Sequence, residues 1–201
     1  MPRLRLRTAL ISMFSAVALC LGLLVSAPAS AEPAPRLSSG APATAAASAY
    51  WACSVPAGMT FTKAERRLNV CNPSGWAISY YVTTPADNLW ACTLPSGFTH
   101  DLAERRLNVC NATGWDISYR LRVPSDNLWA CGLPSGFTYD RAERRLNVCR
   151  ANDYDLSYRL RTPANNLWAC TVPSGFTYDL TERRLNVCAP NDWGNSYRLR
   201  R

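Results

Sequence analysis

Residues 89–110 read Leu-Trp-Ala-Cys-Thr-Leu-Pro-Ser-Gly-Phe-Thr-His-Asp-Leu-Ala-Glu-Arg-Arg-Leu-Asn-Val-Cys, and the stretch returns with few changes at 50–71, 128–149 and 167–188. The starts are 39 residues apart, at Trp51, Trp90, Trp129 and Trp168. A fixed period of this length marks one supersecondary unit used repeatedly. The units are 50–88, 89–127, 128–166 and 167–201. Such an array suits multivalent binding or scaffolding better than a single catalytic centre.

Each unit holds two cysteines eighteen residues apart: Cys53 and Cys71, Cys92 and Cys110, Cys131 and Cys149, Cys170 and Cys188. An even, regularly spaced set in an exported chain is a disulfide framework. Repeat symmetry favours one bridge inside each unit, with a bridge between neighbours, such as Cys71 to Cys92, as the alternative. A metal site is not expected, because the paired cysteines are far apart and His100 is the only histidine. No cofactor is expected either.

Export is read from the first 31 residues. Arg3, Arg5 and Arg7 precede an apolar run from Ala9 to Val25, and Ala29-Ser30-Ala31 supplies a small-residue cleavage site. Cys20 follows the bulky Leu19 within that run, which argues against a lipid anchor. No second apolar segment follows, so the expectation is a secreted, extracellular protein with no membrane attachment after cleavage. Residues 32–49 are rich in Pro, Ala and Ser and read as a linker. The whole chain has 22 basic and 14 acidic side chains, and loss of the leader lowers the net charge from +8 to about +5. With acids among the arginines of every unit, nucleic acid is not an expected partner.

Within a unit, Leu89 to Pro95 is aromatic, β-prone and closed by proline. Gly97 and its equivalents then supply a turn. After Phe98 to His100 comes Glu104 to Cys110, which reads two ways. Thr62, Asp101, Asp140 and Asp179 stand three residues before a Glu, the capping-box spacing of a helix start, and Ala-Glu-Arg-Arg-Leu is good helix chemistry. Leu-Asn-Val-Cys favours a strand. Ser118 to Arg122 alternates strictly, placing Tyr119 and Leu121 on one face and Arg120 and Arg122 on the other. Pro124 to Asn127 turns into the next unit.

The fold class expected is mainly β: four tandem disulfide-stapled repeats, each with the option of a short helix. They form a linear array or, alternatively, a closed four-bladed ring. In the ring, Ser196 to Arg200 would pair with the first Trp strand and remove both open edges.

The functional candidates are aromatic. The Trp that opens each unit shares a strand face with its Cys and is expected to pack over the disulfide. Trp76, Trp115, Tyr154 and Trp193 instead fall in a polar, variable loop after the second cysteine. Such rings beside Asn and Asp suit carbohydrate, stacking on the sugar while polar groups take its hydroxyls. The Arg66-Arg67 pair and its equivalents read as solvated ion-pair partners or as bait for a trypsin-like protease. Arg120, Arg122, Arg159, Arg161, Arg198 and Arg200 form a stripe able to meet phosphate or uronate, interrupted in unit one by Tyr81 and Thr83. No nucleophile–base arrangement is present, and Asp101 with Glu104 fits turn or cap chemistry better than a hydrolytic carboxylate pair. An enzyme is not expected.

Over residues 50–201, the pattern Trp-Ala-Cys-x-x-Pro-x-Gly-Phe, the second cysteine, Ser-Tyr and Pro-x-Asp-Asn resembles tandem repeats of secreted actinobacterial and myxobacterial proteins. That resemblance implies export and an accessory binding role, with unit one, which carries Tyr50 and Met59, as the atypical cap. The expected partner is an extracellular polysaccharide or cell-wall polymer. The alternatives are a protease, met as an inhibitor's target, or further copies in a structural surface coat.

Overall fold

The computed structural model describes residues 48–201, and these contain twelve strands and no helix. The leader and most of the linker read from the sequence lie outside the described residues. Unit one comprises β1 (Tyr50–Ala52), β2 (Thr60–Leu68) and β3 (Trp76–Thr83). Unit two has β4 (Trp90–Ala91), β5 (Thr99–Leu107) and β6 (Trp115–Arg122), and unit three β7 (Trp129–Ala130), β8 (Thr138–Leu146) and β9 (Tyr154–Arg161). Unit four has β10 (Trp168–Ala169), β11 (Thr177–Leu185) and β12 (Trp193–Arg200).

Each triplet is an antiparallel sheet with its third strand in the middle, in the order β1-β3-β2 and its equivalents. The alternating segment takes the centre because both of its faces find cover. Leu121 is fully buried on one, and Ser118 is buried at 1% exposure on the other. Trp90 pairs with Arg120 across one edge of β6, and Ala103 with Tyr119 across the other. The Ser-Tyr-Arg-Leu-Arg strand therefore pairs with the Trp strand of its own unit. That pairing takes Ser196 to Arg200 out of any ring closure, and the array is open, with β1 and β11 not paired to each other.

The helix option fails as well. Ala103 to Leu107 continues β5 in register with β6, Glu104 facing Ser118 and Arg105 facing Ile117. The strand stops at Leu107, because Asn108 takes a positive φ of 55° and turns the chain. Asn69, Asn147 and Asn186 do the same in the other units. Asp101 caps nothing: the register shifts between His100 and Leu102, so it stands in a β-bulge. The same shift occurs in β2, β8 and β11.

All four disulfides are intra-unit, Cys53–Cys71, Cys92–Cys110, Cys131–Cys149 and Cys170–Cys188, with Cα separations of 5.1–5.3 Å. Intrachain bridges of this kind form in oxidising compartments. Each closes an eighteen-residue loop, which by loop-closure entropy stabilises the unit by about 3 kcal/mol. A unit this small needs that help, since its own core is thin. In unit one the core is Phe61, Ala64 and Val82, with Tyr80 edge-on to Phe61 at 4.9 Å, and Cys92 of unit two completes it.

Neighbouring units join edge to edge. The Cys131 N–H donates to His100 O at 2.8 Å, and the Ala103 N–H donates to Val148 O at 2.8 Å. The same two bonds link β2 to unit two (Cys92 to Phe61, Ala64 to Val109) and β8 to unit four (Cys170 to Tyr139, Ala142 to Val187). Each linker adds a clasp: Asn88 N–H donates to Leu121 O, and Asp87 accepts from Arg122 Nε and Val123 N–H at 3.0 and 2.9 Å. Asn88, Asn127 and Asn166 all have positive φ there.

Candidate functional site

The two faces of each sheet carry different chemistry. On the disulfide face stands the unit's first Trp, as Trp90 does opposite Arg120, and its flat side is covered by arginine. Arg67, Arg106, Arg145 and Arg184 place Cζ 3.7, 4.2, 4.3 and 4.6 Å from the ring centres of Trp51, Trp90, Trp129 and Trp168. The second arginine of every pair is thus used internally, and each also donates to the Glu two residues before it. Ser79 Oγ lies 3.3 Å from Cys71 Sγ, and its hydroxyl is the donor.

The arginine stripe lies on this face too, neutralised by the bulged aspartates. Asp101 accepts from Arg120 Nε and Nη2 at 2.7 and 3.0 Å and from Arg122 Nη1 at 2.7 Å. Asp140 holds Arg159 and Arg161 in the same way, and Asp179 holds Arg198 and Arg200. The hydrogen bond from Arg198, helped by Arg200, draws the Asp179 carboxyl far below the usual carboxylate range. Unit one has Thr62 at the bulge and Tyr81 and Thr83 opposite, so both halves of the cluster change together. With their fork donors committed, these arginines are poorly placed to grip a phosphate or uronate.

The opposite face is where the aromatic candidates stand. Trp76, Trp115, Tyr154 and Trp193 are 56, 55, 51 and 52% exposed. They are not loop residues, as their polar surroundings suggested, but the first residues of β3, β6, β9 and β12. Each pairs across its hairpin with a leucine, Leu68, Leu107, Leu146 or Leu185, itself about half exposed. Paired residues project to the same face, so each hairpin tip presents an aromatic ring and a leucine to solvent.

The loops that hold these tips use two constructions. In units one and two, Asn72 and Asn111 accept from the backbone of Ser74 and Thr113, and Gly75 and Gly114 close the turn. A Cβ on Gly75 would lie 3.2 Å from the Asn72 amide. Units three and four instead use Asn147 and Asn186, which accept from Asn152 and Asn191 in positive φ. Asp153 and Asp192 replace the glycine and accept from the aromatic residue's own N–H.

A cleft lies at each junction between units. That between units two and three, about 540 Å³, is lined by Glu104, Arg105 and Trp115 from one unit and by Asn147, Ala151 and Asn152 from the next. Its equivalents contain Glu65, Arg66 and Asn108, and Glu143, Arg144 and Asn186. Trp76 and Tyr154 do not line their clefts, so the four candidate rings are one per unit and do not converge on one pocket. The first arginine of the pair, read from the sequence as an ion-pair partner or protease bait, stands with the ring in units two to four. Arg105, Arg144 and Arg183 lie 5.9, 5.3 and 6.0 Å from the centres of Trp115, Tyr154 and Trp193. Its signal was the period-two alternation, which sends the two arginines to opposite faces.

Among the described residues, no group of three or more His, Cys, Asp or Glu is placed to hold a metal ion, and no helix is long and apolar enough to cross a membrane. No protein-family model, no curated protein and no solved structure is detectably similar to the chain.

Proposed function

We propose that this chain is an exported, non-catalytic protein that binds an extracellular polysaccharide or cell-envelope polymer through several units at once. The observation that carries this reading is the fourfold presentation of a half-exposed aromatic ring, Trp76, Trp115, Tyr154 or Trp193, on one face of equivalent hairpins. An apolar side chain of this size is held in solvent at a cost, and a repeated set of them suits a binding surface. Beside the rings, the junction clefts offer Asn amides and an Arg guanidinium, groups that take sugar hydroxyls. A polymer repeats along its length as the units do, and linked weak sites gain roughly 10²–10⁴ in avidity. Use of the dibasic pairs as protease bait is less favoured, because they lie within paired strands and the second arginine of each is stacked on Trp.

The test is retention of the oxidised protein on chitin, cellulose and purified peptidoglycan, beside a variant with all four residues changed to Ala. Retention of the wild type on at least one polymer, lost in the variant while its disulfides and β circular dichroism persist, is the expected result. Equal retention of the variant removes the hairpin tips from the account. No retention of the wild type on any polymer moves protease inhibition and surface-coat assembly ahead.

A further inference from the structure

We propose that the protein associates head to tail with copies of itself, β1 of one molecule docking on the outer edge of β11 of another. This stands independently of the polymer reading. The interface is already present inside the chain three times, built from the same two backbone bonds at 2.7–2.8 Å. Among the described residues its two halves are also displayed unpartnered, one at each end of the array.

The tail half is β11. At the internal junctions, Thr60, Thr99 and Thr138 are at most 3% exposed, whereas Thr177, at the same position, is exposed. Tyr178 and Leu180 are 51 and 46% exposed. By position, Tyr178 O and the Thr181 N–H correspond to the acceptor and donor that bind the next unit elsewhere. The head half is unit one. Val70 is 55% exposed, while Val109, Val148 and Val187 are half-buried against the preceding unit. Ala52 and Cys53 are likewise more open than their counterparts. The side chains match the internal pattern as well. Thr60 and Thr138 bond to Thr93 and Thr171 of the following unit, and Ser54 offers Thr177 the same hydroxyl. Tyr139 already fits an internal junction in the place that Tyr178 would take.

One residue separates this edge from the internal ones. Ala64, Ala103 and Ala142 are only 2–3% exposed at their junctions, and unit four has Thr181 there. The extra methyl and hydroxyl crowd the contact, so docking is reversible where the internal junctions are permanent. An interface joining two different surfaces leaves a free head and a free tail on a pair of copies, where a two-fold dimer leaves none, so association continues past two copies.

The experiment is sedimentation velocity of the oxidised protein over a wide concentration series. The wild type is expected to grow in weight-average sedimentation coefficient with concentration. Thr181→Ala should lower the concentration for half-association by about tenfold. Thr181→Pro removes the outward N–H from an edge strand, where proline is tolerated, and should leave monomers with unchanged β circular dichroism. A minor fraction of Thr181→Pro, whose head is intact, should shorten wild-type chains. The proposal is overturned if wild type and Thr181→Ala both stay monomeric, or if Thr181→Pro associates as the wild type does. Assembly that stops at dimers and ignores the added Thr181→Pro protein also overturns it.

Discussion

The Arg106 guanidinium carbon lies 4.2 Å from the centre of the Trp90 ring while its Nε and Nη2 hold Glu104 Oε2 at 2.9 and 2.7 Å. One side chain thus clamps the short outer strand β4 to β5 across β6. Arg106→Ala should lower stability by about 1 kcal/mol through the lost cation–π contact and stem packing. Arg106→Lys, which keeps the charge but not the flat fork, should recover only part. The urea midpoint of the oxidised chain reads both.

The Asp101 cluster makes a sharper prediction. Its carboxylate is nearly buried between Arg120 and Arg122, and charge-assisted bonds of this kind contribute about 1.5–3 kcal/mol. Asp101→Thr alone should be destabilising on that scale. The triple change Asp101→Thr, Arg120→Tyr and Arg122→Thr copies unit one and should cost less than the single change, because no arginine is left without its partner. Denaturation of the single and triple variants decides it.

His100 should confer a pH dependence that its counterparts lack. It occupies the place of Phe61, Tyr139 and Tyr178, stacks edge-on against Tyr119 at 4.9 Å, and has a buried Nδ1 without a hydrogen-bond partner. Desolvation lowers its pKa, against the opposing pull of Asp101, a hydrogen bond to the Cys149 backbone and Asp155. The folded state therefore resists a proton that the unfolded chain accepts near pH ~6.5. Stability should be level above that pH and decline as the pH falls below it, and His100→Tyr should abolish the slope. The carboxylates act in a lower window. Asp87 and Asp126 are held below their usual range, first by the N–H groups of Val123 and Thr162 and then by Arg122 and Arg161. Their contribution is present above pH ~3.9 and is lost as the pH falls through their folded values. Thermal melts of both proteins from pH 4.5 to 8 isolate the histidine.

Ala103→Thr places at an internal junction the residue found at 181. Ala103 is 3% exposed against unit three, and overpacking of this kind costs about 1–3 kcal/mol. Amide hydrogen exchange should show faster exchange at Ala103, Cys131 and their flanks, with unit one unaffected. Unchanged protection would mean that the junction accommodates threonine freely.

The disulfides were legible because repetition leaves one economical pairing, and β6 was legible because Ser118 to Arg122 alternates without a break. The segment Ala103 to Leu107 was not, because its composition favours a helix and what overrides it is not local. Glu104 and Arg105 pair with β6, and the Ala103 N–H is captured by a carbonyl 45 residues on, that of Val148. Asp101 misled for a related reason: a carboxylate three residues before a glutamate has the spacing of a cap, and only the bulge turns it toward Arg120. Trp76, Trp115, Tyr154 and Trp193 were found by type but set in loops, since the strand start depends on the register of the leucine opposite. The junction clefts, shared between units, had no signature within any one repeat.

Because each bridge closes within its own unit while neighbours are joined by backbone bonds and packing, the chain has an unusual response to stretching. Force applied to its two ends would part the junctions and peel the sheets, yet the residues between the cysteines of each pair would stay bypassed by the sulfur link. Only the stretch from one unit's second cysteine to the next unit's first, as from Cys71 to Cys92, can pay out, about 75 Å per unit at full extension. A tether built this way lengthens in limited steps: the loop from Cys53 to Cys71 and its counterparts stay covalently closed, while the hairpin tips with Trp76 and its equivalents lie in the stretch that pays out and re-form when slack returns.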